Sequence, residues 1–218
     1  HDADGYSPDR NSWAIMTAAK NRLDTAEALQ PASSLSDILN GTGNDTAKAW
    51  HYYYNGQTSC YWYWDGTEIW DSNPARAANQ AVNFADLVLG SDPADTVGPS
   101  IYFPQRTPYN PGGNMWGVLQ PNDFTVWTFV YDVSGLSSVV LKYRVDPDGV
   151  RDATNELYSG GTWQSVPMTS RDWVSRTNPA PTYKASEYSA QVTGLSNALV
   201  DYYVEAVDTK GNVSRSPI

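Results

Sequence analysis

The sequence predicts an α+β protein: a small α-helical bundle at the N-terminal end, followed by an antiparallel immunoglobulin- or fibronectin-like β-sandwich. Three observations carry this. Up to about residue 90, apolar residues recur at a 3.6-residue spacing. Beyond Ser91-Asp92-Pro93-Ala94-Asp95 the period turns to two, in short segments parted by Gly, Pro and Asn. Finally, 218 residues suffice for two modest domains. Residues 1–92 are therefore read as a helical, aromatic-rich domain, and residues 96–218 as the sandwich.

The first helix is expected from a cap at Ser12 or Asn11 to about Leu29. Trp13, Met16, Ala19 or Lys20, Leu23 and Ala26 or Glu27 lie along one face, and Pro31 follows the end. Ser33 to Leu39 reads as one short turn. Thr42, Asn44 or Asp45 starts a second helix through Ala47, Trp50 and Tyr54, up to Gly56. Asn73-Pro74 supplies a cap and a first-turn proline for a third, which runs through Ala77, Ala81 and Ala85 to Leu89 and Gly90. Strands are expected at Ile101–Phe103, Phe124–Val130, Val139–Val145, Ser165–Met168, Glu187–Thr193 and Val200–Val207. A last one starts at Asn212.

The net charge of −10 excludes a phosphate backbone as partner, because nucleic acid needs a basic face. No apolar run approaches the roughly 18 residues of a membrane span. One cysteine, Cys60, excludes an internal disulfide. His1 in place of Met reads as the cut end of a mature or excised chain. An acidic, Tyr- and Trp-rich, Lys-poor chain suits a secreted bacterial protein that handles polysaccharide.

Within this frame the stretch Trp50–Trp70 stands out, holding four tryptophans and five tyrosines in 21 positions. Indole N–H and phenol O–H groups give these rings a polar edge, which suits a half-wet surface for sugar rings or a partner protein. Trp62, Trp64 and Trp70, with Tyr61 and Tyr63, are the expected stacking platform. Asp65 and Glu68 are expected to accept hydrogen bonds from sugar hydroxyls. Period-two alternation through Tyr61-Trp62-Tyr63-Trp64 would send only some rings to one side. A second candidate surface carries Tyr109, Trp116, Trp163 and Trp173.

The acidic loop VDPDGVRDATNE places Asp146, Asp148, Asp152, Asn155 and Glu156 within eleven residues. Hard oxygen donors on a Gly-bearing loop suit calcium. The spacing departs from the helix–loop–helix pattern, since Val150 takes a ligand position, and a solvated acidic loop is the alternative. The Asp2, Asp4 and Asp9 group around Gly5 resembles the start of a calcium loop, but Trp13 stands where the bidentate acid belongs, and an N-terminal loop closed by a helix cap is the favoured reading. Zinc is excluded by the scatter of two His and one Cys. No nucleophile elbow and no phosphate-cradling Gly-Lys-Ser/Thr run occurs. His51 reads as a hydrogen-bonded helix residue.

The segments QTSCYWYWDGTEIWDSNPARAANQAV and LVDYYVEAVDTKGNVSRSPI, with the acidic loop and the SVPM strand, resemble the region after the catalytic barrel in bacterial enzymes similar to glycoside hydrolase family 57. That resemblance implies a secreted α-glucan-active parent, an amylase or amylopullulanase, whose nucleophile and acid lie on a barrel. Neither the length nor the element order of this chain allows such a barrel, so no catalytic residue is carried over. The chain is therefore expected to be a non-catalytic region binding starch-like α-glucan. Its expected partners are polysaccharide and the parent's catalytic domain, with calcium as the one candidate cofactor. The alternative is a structural accessory that braces the catalytic barrel. A third reading is a small enzyme using Asp65 and Glu68.

Overall fold

The computed structural model describes residues 7–63, 68–91, 93–150 and 161–217; the side chains of Pro8, Tyr63, Glu68 and Ile69 also lie outside the description. Helices come first and antiparallel strands follow, as expected of an α+β chain. The five described helices are α1 (Pro8–Leu29), α2 (Leu35–Asn40), α3 (Asp45–Gly56), α4 (Ser59–Tyr63) and α5 (Glu68–Leu89). No helix among the described residues is long and apolar enough to cross a membrane.

Helix α1 starts earlier than the Asn11 or Ser12 cap expected from sequence. Ser7 is the cap, its Oγ accepting from Arg10 N, and Pro8 takes the first turn, where a missing N–H costs nothing. Asn11 and Ser12 are instead fully buried. Around α1, Ile15, Met16, Ala19, Leu23 and Ala26 join α3 and α5 in one core. Ala14 and Trp13 turn the other way, towards the strands. Trp13 therefore leaves the face that the 3.6-residue spacing assigned to it. The helix is buried on two sides, and its small Ala, Ser and Thr residues permit both approaches.

Helix α3 is capped by Asn44, whose Oδ1 accepts from Ala47 N at 3.0 Å. Helix α2 ends on Gly41 in the left-handed region, the usual glycine-favoured stop. Helix α5 begins at Glu68 rather than at the Asn73-Pro74 cap, so Pro74 lies inside it. Proline forfeits only one N–H and disturbs one preceding carbonyl. Buried Asp71 and Ser72 hold the turn before it, and Ser72 Oγ accepts from Asn178 N at 3.1 Å.

The strands are β1 (Ser100–Ile101), β2 (Gln105–Thr107), β3 (Asn114–Met115), β4 (Val118–Leu119), β5 (Phe124–Tyr131), β6 (Leu136–Val145), β7 (Gln164–Pro167), β8 (Thr169–Arg171), β9 (Ser186–Val192), β10 (Val200–Asp208) and β11 (Val213–Ser216). One sheet runs β1-β5-β9-β8, with β2 also on β5. A second runs β11-β10-β6-β7, and β3-β4 is a separate hairpin. Phe124, Val126 and Val130 of the first sheet pack with Leu141, Val204 and Ala206 of the second, which is a sandwich-like core.

Strand β5 reads as an almost unbroken apolar run because both of its faces are covered. Its other face carries Trp127 and Phe129, which meet Ala14, Trp13 and Tyr102 in a further cluster. The molecule is thus layered as helices, first sheet, second sheet. Polar contacts hold the upper joint. Arg10 Nη1 donates to Glu187 Oε2 at 3.1 Å, and Arg22 bridges Asp86 Oδ1 on α5 and the Tyr131 hydroxyl on β5.

Candidate functional site

A cleft of about 510 Å³ opens where the helices meet the first sheet. Helix α1 contributes Trp13, Thr17 and Lys20, α3 contributes Tyr53, and α4 contributes Trp62. Ser100, Tyr102 and Phe103 come from β1 and the residues after it. Each ring is fixed by a neighbour. Trp13 stacks on Tyr102 with centroids 5.1 Å apart and planes 17° apart, and on Trp127 at 6.1 Å. Trp62 donates its indole N–H to Gly56 O at 3.0 Å, which leaves the ring to wall the cleft. Phe103 is 60% exposed at the rim.

Polar groups sit among the rings. Lys20 Nζ is held at 2.5 and 2.6 Å from the Asp24 carboxylate oxygens. Burial, with Asp9 adding to it, raises the Tyr102 phenol above its ordinary value, and burial does the same for Tyr53. Both hydroxyls therefore stay protonated around neutral pH. Apolar rings beside Lys, Thr, Ser and Gln side chains make a wall that can receive a pyranose face and bond its hydroxyls.

Of the expected platform, Tyr61, Trp62 and Trp70 are described in full. Trp62 lines this cleft, whereas Trp70 lines a separate 320 Å³ opening with Asn73, Arg76 and Asn178. Tyr61 is half-buried on α4. Trp64 and Asp65 lie outside the described residues, as do the Tyr63 and Glu68 side chains. Residues 59–63 are helical, so Tyr61 and Trp62 diverge by a helical step rather than by strand alternation. The first part of the stretch serves packing. Trp50 donates to Glu27 Oε2 at 2.9 Å and stacks on Tyr54, while Tyr52 stacks on Phe84. His51 Nδ1 lies 2.9 Å from Ile38 O, the hydrogen-bonded helix role expected for it.

Sequence reasoning missed Trp13, Tyr102 and Phe103 as cleft residues. Trp13 carried a helix-core spacing, and Tyr102-Phe103 read as strand. The available signal was two aromatics immediately before Pro104, where a strand must leave its ladder.

The second candidate surface also divides. Trp173 is buried at 3% exposure and donates to Glu187 Oε2 at 2.8 Å, so it is a core residue and not a surface ring. Trp163 meets Tyr203 edge-on, with the Arg144 guanidinium 4.5 Å from its ring. Trp116, by contrast, stands 95% exposed at the tip of the β3-β4 hairpin.

Of the expected calcium loop, Asp146 and Asp148 are described, while Asp152, Asn155 and Glu156 lie outside the described residues. Asp146 Oδ1 accepts from Asp148 N and Gly149 N, and Asp148 Oδ1 accepts from Val150 N. Both carboxylates close turns. Elsewhere, Asp95, Asp132 and Asp208 bring carboxylate oxygens within 4.8 Å of one another, the one such acidic cluster among the described residues. Burial, with the nearby Asp95 charge adding to it, pushes Asp132 up to about 6 against the hydrogen bonds from Ser134 and Asn21. Asp208 is also penalised by burial, but bonds from Asn212, Lys210 and Gly211 hold it below its ordinary value. A repeated Asp-x-x-Gly signal was present at Asp95-Gly98, Asp132-Gly135 and Asp208-Gly211.

No family model matches the chain. It is similar to a curated α-amylase of Niallia circulans, at 27% identity over 219 residues. The match covers 82% of this chain and 17% of the relative's length, so the chain corresponds to a small part of a much longer protein.

Proposed function

We propose that this chain is a non-catalytic, carbohydrate-binding region of a larger secreted bacterial glycoside hydrolase, similar to family 57 and acting on starch-like α-glucan. The observation that carries this reading is the aromatic cleft between α1, α4 and β1, with Trp62, Tyr102 and Phe103 set beside Lys20, Thr17 and Ser100. Aromatic walls with a few fixed polar groups suit stacking on pyranose rings and orientation through their hydroxyls. Similarity to part of an α-amylase supports α-glucan as the ligand class.

The test is retention of the chain on insoluble starch, cellulose, xylan and chitin. Starch should retain it, and Trp62→Ala together with Phe103→Ala should release it while circular dichroism stays unchanged. Retention of that double variant at wild-type level would sink the cleft as the site.

The second reading is a structural accessory to a catalytic barrel. The exposed Leu35, Leu39, Leu87 and Val174 favour it, as apolar surface that a neighbouring domain would cover. It expects no retention on any polysaccharide and self-association of the isolated chain.

A further inference from the structure

Three turns from different parts of the chain converge beneath the helix–sheet joint. Asp95 comes from the segment after α5, Asp132 from the turn after β5, and Asp208 from the end of β10. All three are buried, at 8%, 5% and 1% exposure. No Lys or Arg forms a salt bridge with any of them among the described residues. Three buried carboxylates this close repel one another, and burial of each charge alone is costly.

Most of their oxygens are occupied. Asp132 Oδ1 accepts from Ser134 N and Oγ, and Asp208 Oδ1 accepts from Lys210 N and Asn212 N. Asp132 Oδ2 accepts from Asn21 Nδ2, and Asp208 Oδ2 from Asn212 Nδ2. Asp95 Oδ1 accepts from Val97 N at 3.0 Å, but Asp95 Oδ2 accepts no hydrogen bond from the described residues. That oxygen is a buried acceptor without a donor, on the carboxylate that faces the other two. A native fold keeps few such atoms, and a bound ion is a standard reason for one.

We propose that Asp95, Asp132 and Asp208 bind one calcium ion. The donors are all hard oxygens, and calcium accepts such ligands at about 2.3–2.6 Å in irregular geometry. Separations within 4.8 Å suit an ion of that reach. Zinc is disfavoured, since no nitrogen or sulfur donor belongs to the cluster. The ion would join the segment after α5, the β5-β6 turn and the β10-β11 turn. Through Asn21, which bonds Asp132, it would also brace α1. This site is separate from the Asp146–Glu156 loop.

The test is calcium titration of the 218-residue chain by calorimetry, with melting followed in calcium and in EDTA. The wild-type chain should bind calcium and melt higher with it. Asp95→Asn should weaken binding by more than about a hundredfold, since even outer partners of a metal cost about 10–100-fold. In EDTA the same variant should melt no lower than wild type, because it removes an uncompensated charge. Asp123→Asn, at an exposed carboxylate outside both acidic groups, should leave binding unchanged. Should Asp95→Asn fail to fold, amide shifts of wild type on adding calcium decide the matter. Shifts at Val97, Ser134 and Asn212 support the site; shifts confined to residues 148–150 overturn it. Absence of calcium binding, or wild-type affinity in Asp95→Asn, overturns it equally.

Discussion

Asn21, in the middle of α1, donates its amide to Asp132 Oδ2 at 3.2 Å while its own Oδ1 accepts from Val133 N at 2.8 Å. One fully buried side chain thus closes the turn after β5 from the helical layer. Replacement by Leu keeps the bulk and strands a backbone N–H and a carboxylate. An unsatisfied buried group costs about 1–3 kcal/mol, so Asn21→Leu should lose about that much by denaturant unfolding. A loss within error would mean that the turn finds other partners or water.

Glu187 on β9 holds the opposite end of α1. Its Oε2 accepts from Arg10 Nη1 at 3.1 Å and from Trp173 Nε1 at 2.8 Å, with Arg10 4.2 Å from the Trp127 ring. Glu187→Ala removes the acceptor shared by Arg10 and Trp173. Removing one partner of a buried pair costs about 3–5 kcal/mol. Arg10 retains partial exposure, so the lower end is expected, about 3 kcal/mol. Glu187→Gln preserves an acceptor for Trp173 and should lose less. Equal losses in the two variants would assign the effect to packing rather than charge.

Much of this arrangement was legible because it depends on local chemistry. Asn44, one of three candidate starts for α3, and the paired strands from Phe124 to Val207 follow from short-range signals, whereas the short helix ending on Gly41 read only as a turn and a loop. The early start of α5 was not legible, because it rests on burial of Asp71 and Ser72, whereas that of α1 was carried locally by Ser7-Pro8, the cap-and-proline signal read instead at Asn73-Pro74. The cleft was half legible. Trp62 declared itself by composition, whereas Trp13 and Tyr102 become neighbours only when α1 lies along β5. The Asp95-Asp132-Asp208 cluster joins residues up to 113 positions apart; the shared Asp-x-x-Gly spacing marks each turn, but it also occurs at Asp146-Gly149 and does not say which three turns meet.

Exposed rings separate binding from stability. Trp116 and Phe103 are both largely exposed, so Trp116→Ser and Phe103→Ser should each change stability by less than about 0.5 kcal/mol. Their ligand effects should differ. Phe103 lines the cleft, so Phe103→Ser should lower starch affinity roughly tenfold, about 1.4 kcal/mol. Trp116 stands on a separate hairpin, and its removal should leave affinity unchanged. The reverse pattern in a depletion assay would move the binding surface to the hairpin.

Asp24 gives the fold a pH dependence of definite sign. Burial raises its carboxyl above the ordinary value, and the neighbouring Glu27 charge adds to this, while Lys20 at 2.5 Å opposes both without reversing them. The folded chain therefore holds this proton at a pH where the unfolded chain, with an ordinary value of about 4, has released it. In that window the folded state binds more protons, so this group's contribution to stability falls as pH rises. The fall begins near the unfolded value and levels off above the folded one, where the buried charge persists at constant cost. Asp24→Asn removes the titration, so its unfolding free energy should lose this falling component, which sets in above about pH 4. Denaturant unfolding of both chains at half-unit steps measures the difference directly. An identical slope in wild type and variant would mean that the Lys20 pair fully compensates the burial.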